Sequence, residues 1–126
     1  MAKAIPAIPE NLQSARFDHA ALNVNDINRS VTWYADTLGA RVLYQDQTWA
    51  LLEVGGTKIA LTLAREHPSH LAFDVGKNPP QDFLARAKKH RDGSLSRYVT
   101  DPDGNAIEYI YYPAGTRAQI GDHYKD

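Results

Sequence analysis

The chain contains no cysteine, which excludes disulfides, thiolate nucleophiles and sulfur-ligated zinc. Any metal must therefore be held by histidine, carboxylate or other oxygen ligands. It has no strong charge of either sign: 14 lysines and arginines against 15 aspartates and glutamates leave a formal charge of −1. With no basic stripe either, nothing drives it electrostatically toward nucleic acid or an anionic membrane, and a small-molecule partner is expected. No apolar run approaches the roughly 20 residues of a membrane-spanning helix. Residues 1–15 carry one lysine and two prolines and lack an apolar segment of signal-peptide length. The expectation is a cytoplasmic protein with an irregular N-terminal arm.

What remains is globular in composition, with 43% apolar and 23% charged residues. A chain of 126 residues suits one domain and is short for two. RFDHAALNV at 16–24 alternates, with Ala20, Leu22 and Val24 on one face and His19, Ala21 and Asn23 on the other, more polar one. Asp26 is a candidate N-cap for a helix carrying Ile27, Val31, Tyr34 and Leu38 at helical spacing, closed by Gly39. Three β-rich runs follow at 41–46, 48–55 and 57–64, the last two joined by Gly55-Gly56, a hairpin turn. The first unit, about 16–64, thus reads β-α-β-β-β.

SHLAFDV at 69–75 restarts the pattern, placing His70, Ala72 and Asp74 on one face. Asn78-Pro79-Pro80 reads as the cap and first turn of a short helix, QDFLARAKKH, with Phe83, Leu84 and Ala87 as its apolar side. LSRYVT, the turn DPDG and NAIEYIYY form a hairpin. The second unit, about 69–112, lacks a counterpart of the strand at 41–46, and the tail from Pro113 is polar and irregular. The fold class expected is α+β, two βαβββ-type units with an edge strand missing from the second.

His19 and His70 occupy the same place in the two repeats, and alternation lets Glu108 on the last strand face with them. A lone strand histidine is usually an ordinary polar residue, and a lone hairpin glutamate usually meets solvent. An internal two-fold instead makes these three converge as a 2-His-1-carboxylate triad with open coordination positions, a catalytic style of site. His67 and His123 read as solvated. Asp101 and Asp103 are assigned to turn geometry.

The run FDHAALNVNDINRSVTWYADTLGARVLY, then SHLAFDV, and above all YVTDPDGNAIEYI resemble the vicinal-oxygen-chelate superfamily of glyoxalases, bleomycin-resistance proteins and extradiol dioxygenases, over residues 16–112. The resemblance implies paired βαβββ units in a cupped mixed sheet, with metal ligands at the positions matched by His19, His70 and Glu108. It also implies a fourth acid in glyoxalase I itself, where this chain has Ala60, so that isomerase is disfavoured. Three ligands agree better with extradiol ring-cleaving dioxygenases, ahead of fosfomycin-modifying transferases or lyases. By the same likeness Tyr98 would hydrogen-bond a ligand oxygen and His90 would act as acid or base. The alternatives are an aromatic wall for Tyr98 and a helix-terminal cation for His90. Arg117 stands near where the transferases hold a phosphonate, although Ala21 replaces their usual threonine. Arg97, opposite Tyr98 by alternation, reads as a surface ion pair.

A divalent ion is the expected cofactor, Fe(II) or Mn(II) first, with Zn(II) and Ni(II) compatible. A metal-free protein that sequesters a ligand is the competing class. An open second unit suggests a homodimer, in which His19 could come from one subunit and His70 with Glu108 from the other.

Overall fold

The alternation and capping signals of the first half translate into structure almost residue by residue. In this computed structural model, which describes residues 15–90 and 93–113, eight strands form a mixed, mostly antiparallel open sheet accompanied by two helices. The chain divides into two compact units, with boundaries between Asp18 and His19 and between His70 and Leu71.

The unit of residues 19–70 contains most of β1 (Arg16–Asn23), all of α1 (Ile27–Leu38), β2 (Arg41–Gln45), β3 (Trp49–Val54) and β4 (Thr57–Thr62). Its strands lie in the order β2-β3-β4-β1, with β1 parallel to β4 and the other pairs antiparallel. Asp26 caps α1 by accepting a hydrogen bond from the Arg29 backbone N–H at 3.0 Å. Gly39 ends it in the left-handed conformation that favours glycine, φ 68°. Gly55 and Gly56 both have positive φ, the requirement of the tight β3–β4 hairpin. Ile27 and Val31 bury against Ala50, Leu52 and Leu61 on the helix side. On the opposite side Ala21, Leu43, Leu51 and Ala60 make a second buried cluster with Tyr44 and Trp49 against it.

That second cluster corrects the face expected of β1. Ala21 is 2% exposed while Leu22 is 41% exposed, so the face shared with His19 is an apolar floor rather than a polar surface. Both sides of this sheet carry buried apolar residues, and alternation of residue polarity cannot rank two such faces. Leu38 is exposed as well, at the end of α1 and beyond Tyr34, the last residue of the helix that packs against the helix-side cluster.

The unit containing residues 71–113 repeats the plan in reduced form, with β5 (His70–Asp74), α2 (Gln81–Arg86), β6 (Lys88–Lys89), β7 (Leu95–Thr100) and β8 (Ala106–Tyr111). The strand order is β5-β8-β7-β6, and β5 runs parallel to β8 as β1 does to β4. Both units are βαβββ. The edge place expected to be missing holds a strand of only two residues, paired antiparallel with β7. The helix expected to run to His90 stops at Arg86, and Lys88-Lys89 become that strand. Pro80, not Asn78, stands at the N-cap and makes no side-chain cap bond. So short a helix buries Phe83 alone, against Val75, Ala87, Tyr109 and Tyr111, and Leu84, expected in its apolar face, is exposed. The DPDG turn behaves as expected: the Asp101 carboxylate accepts from the backbone N–H of Asp103 and Asn105 and from the Asn105 side chain. Those bonds, the Asn105 side chain foremost, favour the ionised carboxylate and hold its pKa below the usual aspartate range.

Candidate metal centre

His19 leaves β1 on the face of Ala21, whose partner across the parallel β1–β4 register is Ala60. A methyl group, and no acid, thus stands at this position of β4. His70 opens β5 and is only 8% exposed. The two imidazoles stand with centroids 5.7 Å apart and planes at 72°. His70 Nδ1 lies 2.6 Å from the carbonyl oxygen of Pro68. A carbonyl only accepts, so Nδ1 carries the proton and Nε2 keeps the lone pair that a metal needs.

Glu108 is held by β8, the strand that NAIEYIYY predicted, and is 4% exposed. It lies opposite Ala72 on β5 and Tyr98 on β7. His90 Nε2 is 3.6 Å from Glu108 Oε2 and hydrogen-bonds Ser96 Oγ. The short helix matters here: because the chain leaves α2 at Arg86 and pairs through Lys88-Lys89, His90 is delivered beside Glu108 and is no helix terminus. Tyr98 has its acidity suppressed, first by burial and then by the charge of Glu108, so its hydroxyl keeps its proton at neutral pH. A buried carboxylate is costly unless compensated by opposite charge and hydrogen bonds, and a cation at this place meets that need.

One ligand atom from each of His19, His70 and Glu108 lies within 4.8 Å of the others. Donors bonded at about 2.1 Å to one ion can be at most about 4.2 Å apart, a separation comparable with the one found. Two imidazoles and a carboxylate suit a borderline divalent ion with positions left over for substrate. The residues present fit such an ion.

The structure brings together His19, His70 and Glu108, and places Tyr98 and His90 at Glu108. Arg117 and His123 lie outside the described residues. Arg97, expected in a surface ion pair, pairs with Asp82 at 3.8 Å, with its own side chain only 11% exposed. His67 was expected in solvent but is half-buried, its ring centroid 6.4 Å from that of His70. Sequence reasoning missed Asn23, which hydrogen-bonds Thr62, His67 and Ser69, and Lys88, which lies opposite Ser96. Strand alternation already placed Asn23 on the His19 face; Lys88 had no such signal while it was read as helical.

The profile of the Glyoxalase/Bleomycin resistance protein/Dioxygenase superfamily matches residues 16–82. The chain belongs to this superfamily. It is 29% identical to the metallothiol transferase FosB of Staphylococcus epidermidis over 127 aligned positions, 86% of this chain and 87% of that one. Among solved structures, methylmalonyl-CoA epimerase from Mycobacterium tuberculosis has TM-score 0.62 at 20% identity, covering 82% of this chain and 91% of that one. Homoprotocatechuate 2,3-dioxygenase from Brevibacterium fuscum has TM-score 0.54 at 24% identity, covering 88% of this chain but 34% of that one. The structural likenesses establish the superfamily's fold, in a superfamily of metal-dependent enzymes acting on small molecules. Among the described residues no helix is long and apolar enough to cross a membrane.

Proposed function

We propose that this chain is a cytoplasmic, divalent-metal-dependent enzyme acting on a small, oxygen-rich substrate, with His19, His70 and Glu108 as the ligands of Mn(II) or Fe(II). The observation that carries the reading is the approach of the three ligand atoms within 4.8 Å. A bound divalent ion would supply Lewis acidity to vicinal substrate oxygens. The rest of the chemistry belongs to the chain. Tyr98, which retains its proton, donates a hydrogen bond to a substrate oxygen. His90, held by Ser96, exchanges a proton near Glu108. Lys88, across from Ser96, and Arg117 attract an anionic substituent.

Thiol transfer is the leading reaction, because the likeness to FosB runs through 86% of this chain and a cation on the β6–β7 ladder suits an anionic substrate. Having no cysteine, the protein must take its thiol as a second substrate. The sulfur bonds to an electrophilic carbon, the C–O bond there breaks, and the thiol proton ends on the released oxygen. Extradiol ring cleavage is the second reading, favoured by the pairing of His90 and Tyr98 with Glu108. A homodimer is part of the proposal, supported by the exposed Phe17 and Leu71.

Elemental analysis of protein purified without a tag, followed by two assays, tests these readings. Fosfomycin with cysteine and Mn(II) should yield a thiol adduct by mass spectrometry, and catechols with Fe(II) and dioxygen should yield no ring-opened product. The reverse pattern installs the dioxygenase. A protein that binds no divalent ion is the ligand-sequestering type instead.

A further inference from the structure

Asn23 is the last residue of β1, four positions after His19 and on the same face. Its backbone N–H donates to Ser69 Oγ at 3.0 Å. Its side-chain Nδ2 donates to Thr62 Oγ1 at 3.0 Å and to the His67 carbonyl at 2.7 Å. That carbonyl can only accept, which fixes which end of the amide faces it. Thr62 is itself buried and stands opposite Asn23 in the β1–β4 register. One residue beyond His67, the Pro68 carbonyl accepts from His70 Nδ1. A single amide therefore joins the end of the strand bearing the first histidine to the loop that orients the second.

We infer that Asn23 is a positioning residue, a clamp that sets the spacing of His19 and His70 and holds His70 in the tautomer with Nε2 available. The inference rests on the metal-binding reading above. Asparagine is specifically suited: one short side chain offers two N–H donors to a hydroxyl and a carbonyl at once. Aspartate has the same size but offers only acceptors, and would set a carboxylate against the His67 carbonyl. Outer partners of this kind typically shift metal affinity by about 10–100-fold.

The test uses the full chain and Mn(II) alone as the probe, with free Mn(II) followed by electron paramagnetic resonance. Asn23→Ala and Asn23→Asp should each weaken Mn(II) binding by about 10–100-fold, and Thr62→Val should weaken it less, in the same direction. The second readout needs no metal: long-range proton–nitrogen spectra of the imidazoles should show His70 as a single Nδ1–H tautomer in the parent and as a mixture in Asn23→Ala. His19→Ala serves as reference. If it loses Mn(II) while a cooperatively melting Asn23→Ala keeps parental affinity and an unmixed His70 tautomer, the clamp is wrong. If His19→Ala retains full affinity the metal assignment fails instead, and the tautomer spectra still decide the clamp. Should Asn23→Ala not fold, Thr62→Val carries both readouts, and parental values in both overturn the inference.

Discussion

The two βαβββ units follow one plan and use it differently. The unit of residues 19–70 has a capped twelve-residue helix and apolar clusters on both sides of its sheet. The unit containing residues 71–113 has an uncapped six-residue helix, a two-residue edge strand and one small cluster around Phe83. Yet this thinner unit buries Ser94, Ser96 and Glu108 and places His90 and Tyr98 beside that carboxylate. One unit supplies most of the apolar packing, while the other, with its shorter helix and edge strand, buries polar residues, whose burial needs partners more than apolar area.

The widest difference between the units should appear in ligand removal. Glu108→Gln keeps the shape of the side chain but removes the charge, and should weaken Mn(II) binding by more than about 100-fold, beyond the range of outer-partner changes. Calorimetric titration measures it, and its thermal stability should stay near the parent's, because the buried charge that needed compensation is gone. Retained affinity would assign Glu108 to structure and erase the division of labour.

Core truncations probe the scaffold side. Leu52, fully buried under α1, should cost about 2–5 kcal/mol as alanine, and Phe83→Ala about 3–5 kcal/mol, both read from denaturant midpoints. The contrast lies in distribution: hydrogen exchange in Phe83→Ala should rise most in α2 and β7, since Phe83 is the one side chain by which α2 is buried, whereas α1 should keep its protection. Equal loosening of α1 would show that the two cores are not separate. A smaller effect is expected from Asp26→Ala, about 1 kcal/mol for the lost N-cap bond. The same change has no counterpart at Pro80, which makes no side-chain bond, so Pro80→Ala should be milder.

The smallest effect is in pH dependence. Tyr98 in the metal-free fold holds its proton above the ordinary tyrosine value of 10.0. The unfolded chain then releases a proton that the folded chain keeps, so stability should be undiminished below about pH 10 and fall as pH rises beyond it. In Tyr98→Phe that alkaline loss should be reduced. Unchanged alkaline melting in the variant would place Tyr98 in ordinary solvent, the aromatic-wall alternative.

The elements that sequence reasoning located correctly are those whose cause is local. Asp26, Gly39, Gly55-Gly56 and the DPDG turn each act within a few residues, and the alternation around His19, His70 and Glu108 needs only the two-residue period of a strand. The internal repeat relates His19 to His70, and strand alternation allows Glu108 to face with them. The errors arise where a distant partner outbid a local preference. Lys88-Lys89 continue a helical pattern, yet pairing with β7 captures them as an edge strand, and this alone carries His90 to Glu108. Leu22 and Ala21 exchanged places because both faces of the sheet carry buried apolar clusters, which residue type cannot rank. Asn23 reads as an unremarkable polar strand end until Thr62, His67 and Ser69 are gathered around it.

By itself, then, the sequence indicated two repeated units and three candidate ligands through short-range periodicity and the repeat, and the superfamily through the resemblance carried by the runs around those residues. Tertiary structure alone decided which tautomer His70 adopts, which polar groups surround Glu108 and which residue ties the two histidine elements together. Those depend on hydrogen bonds between groups up to 46 positions apart, as Asn23 is from Ser69, and no local pattern encodes such a partner.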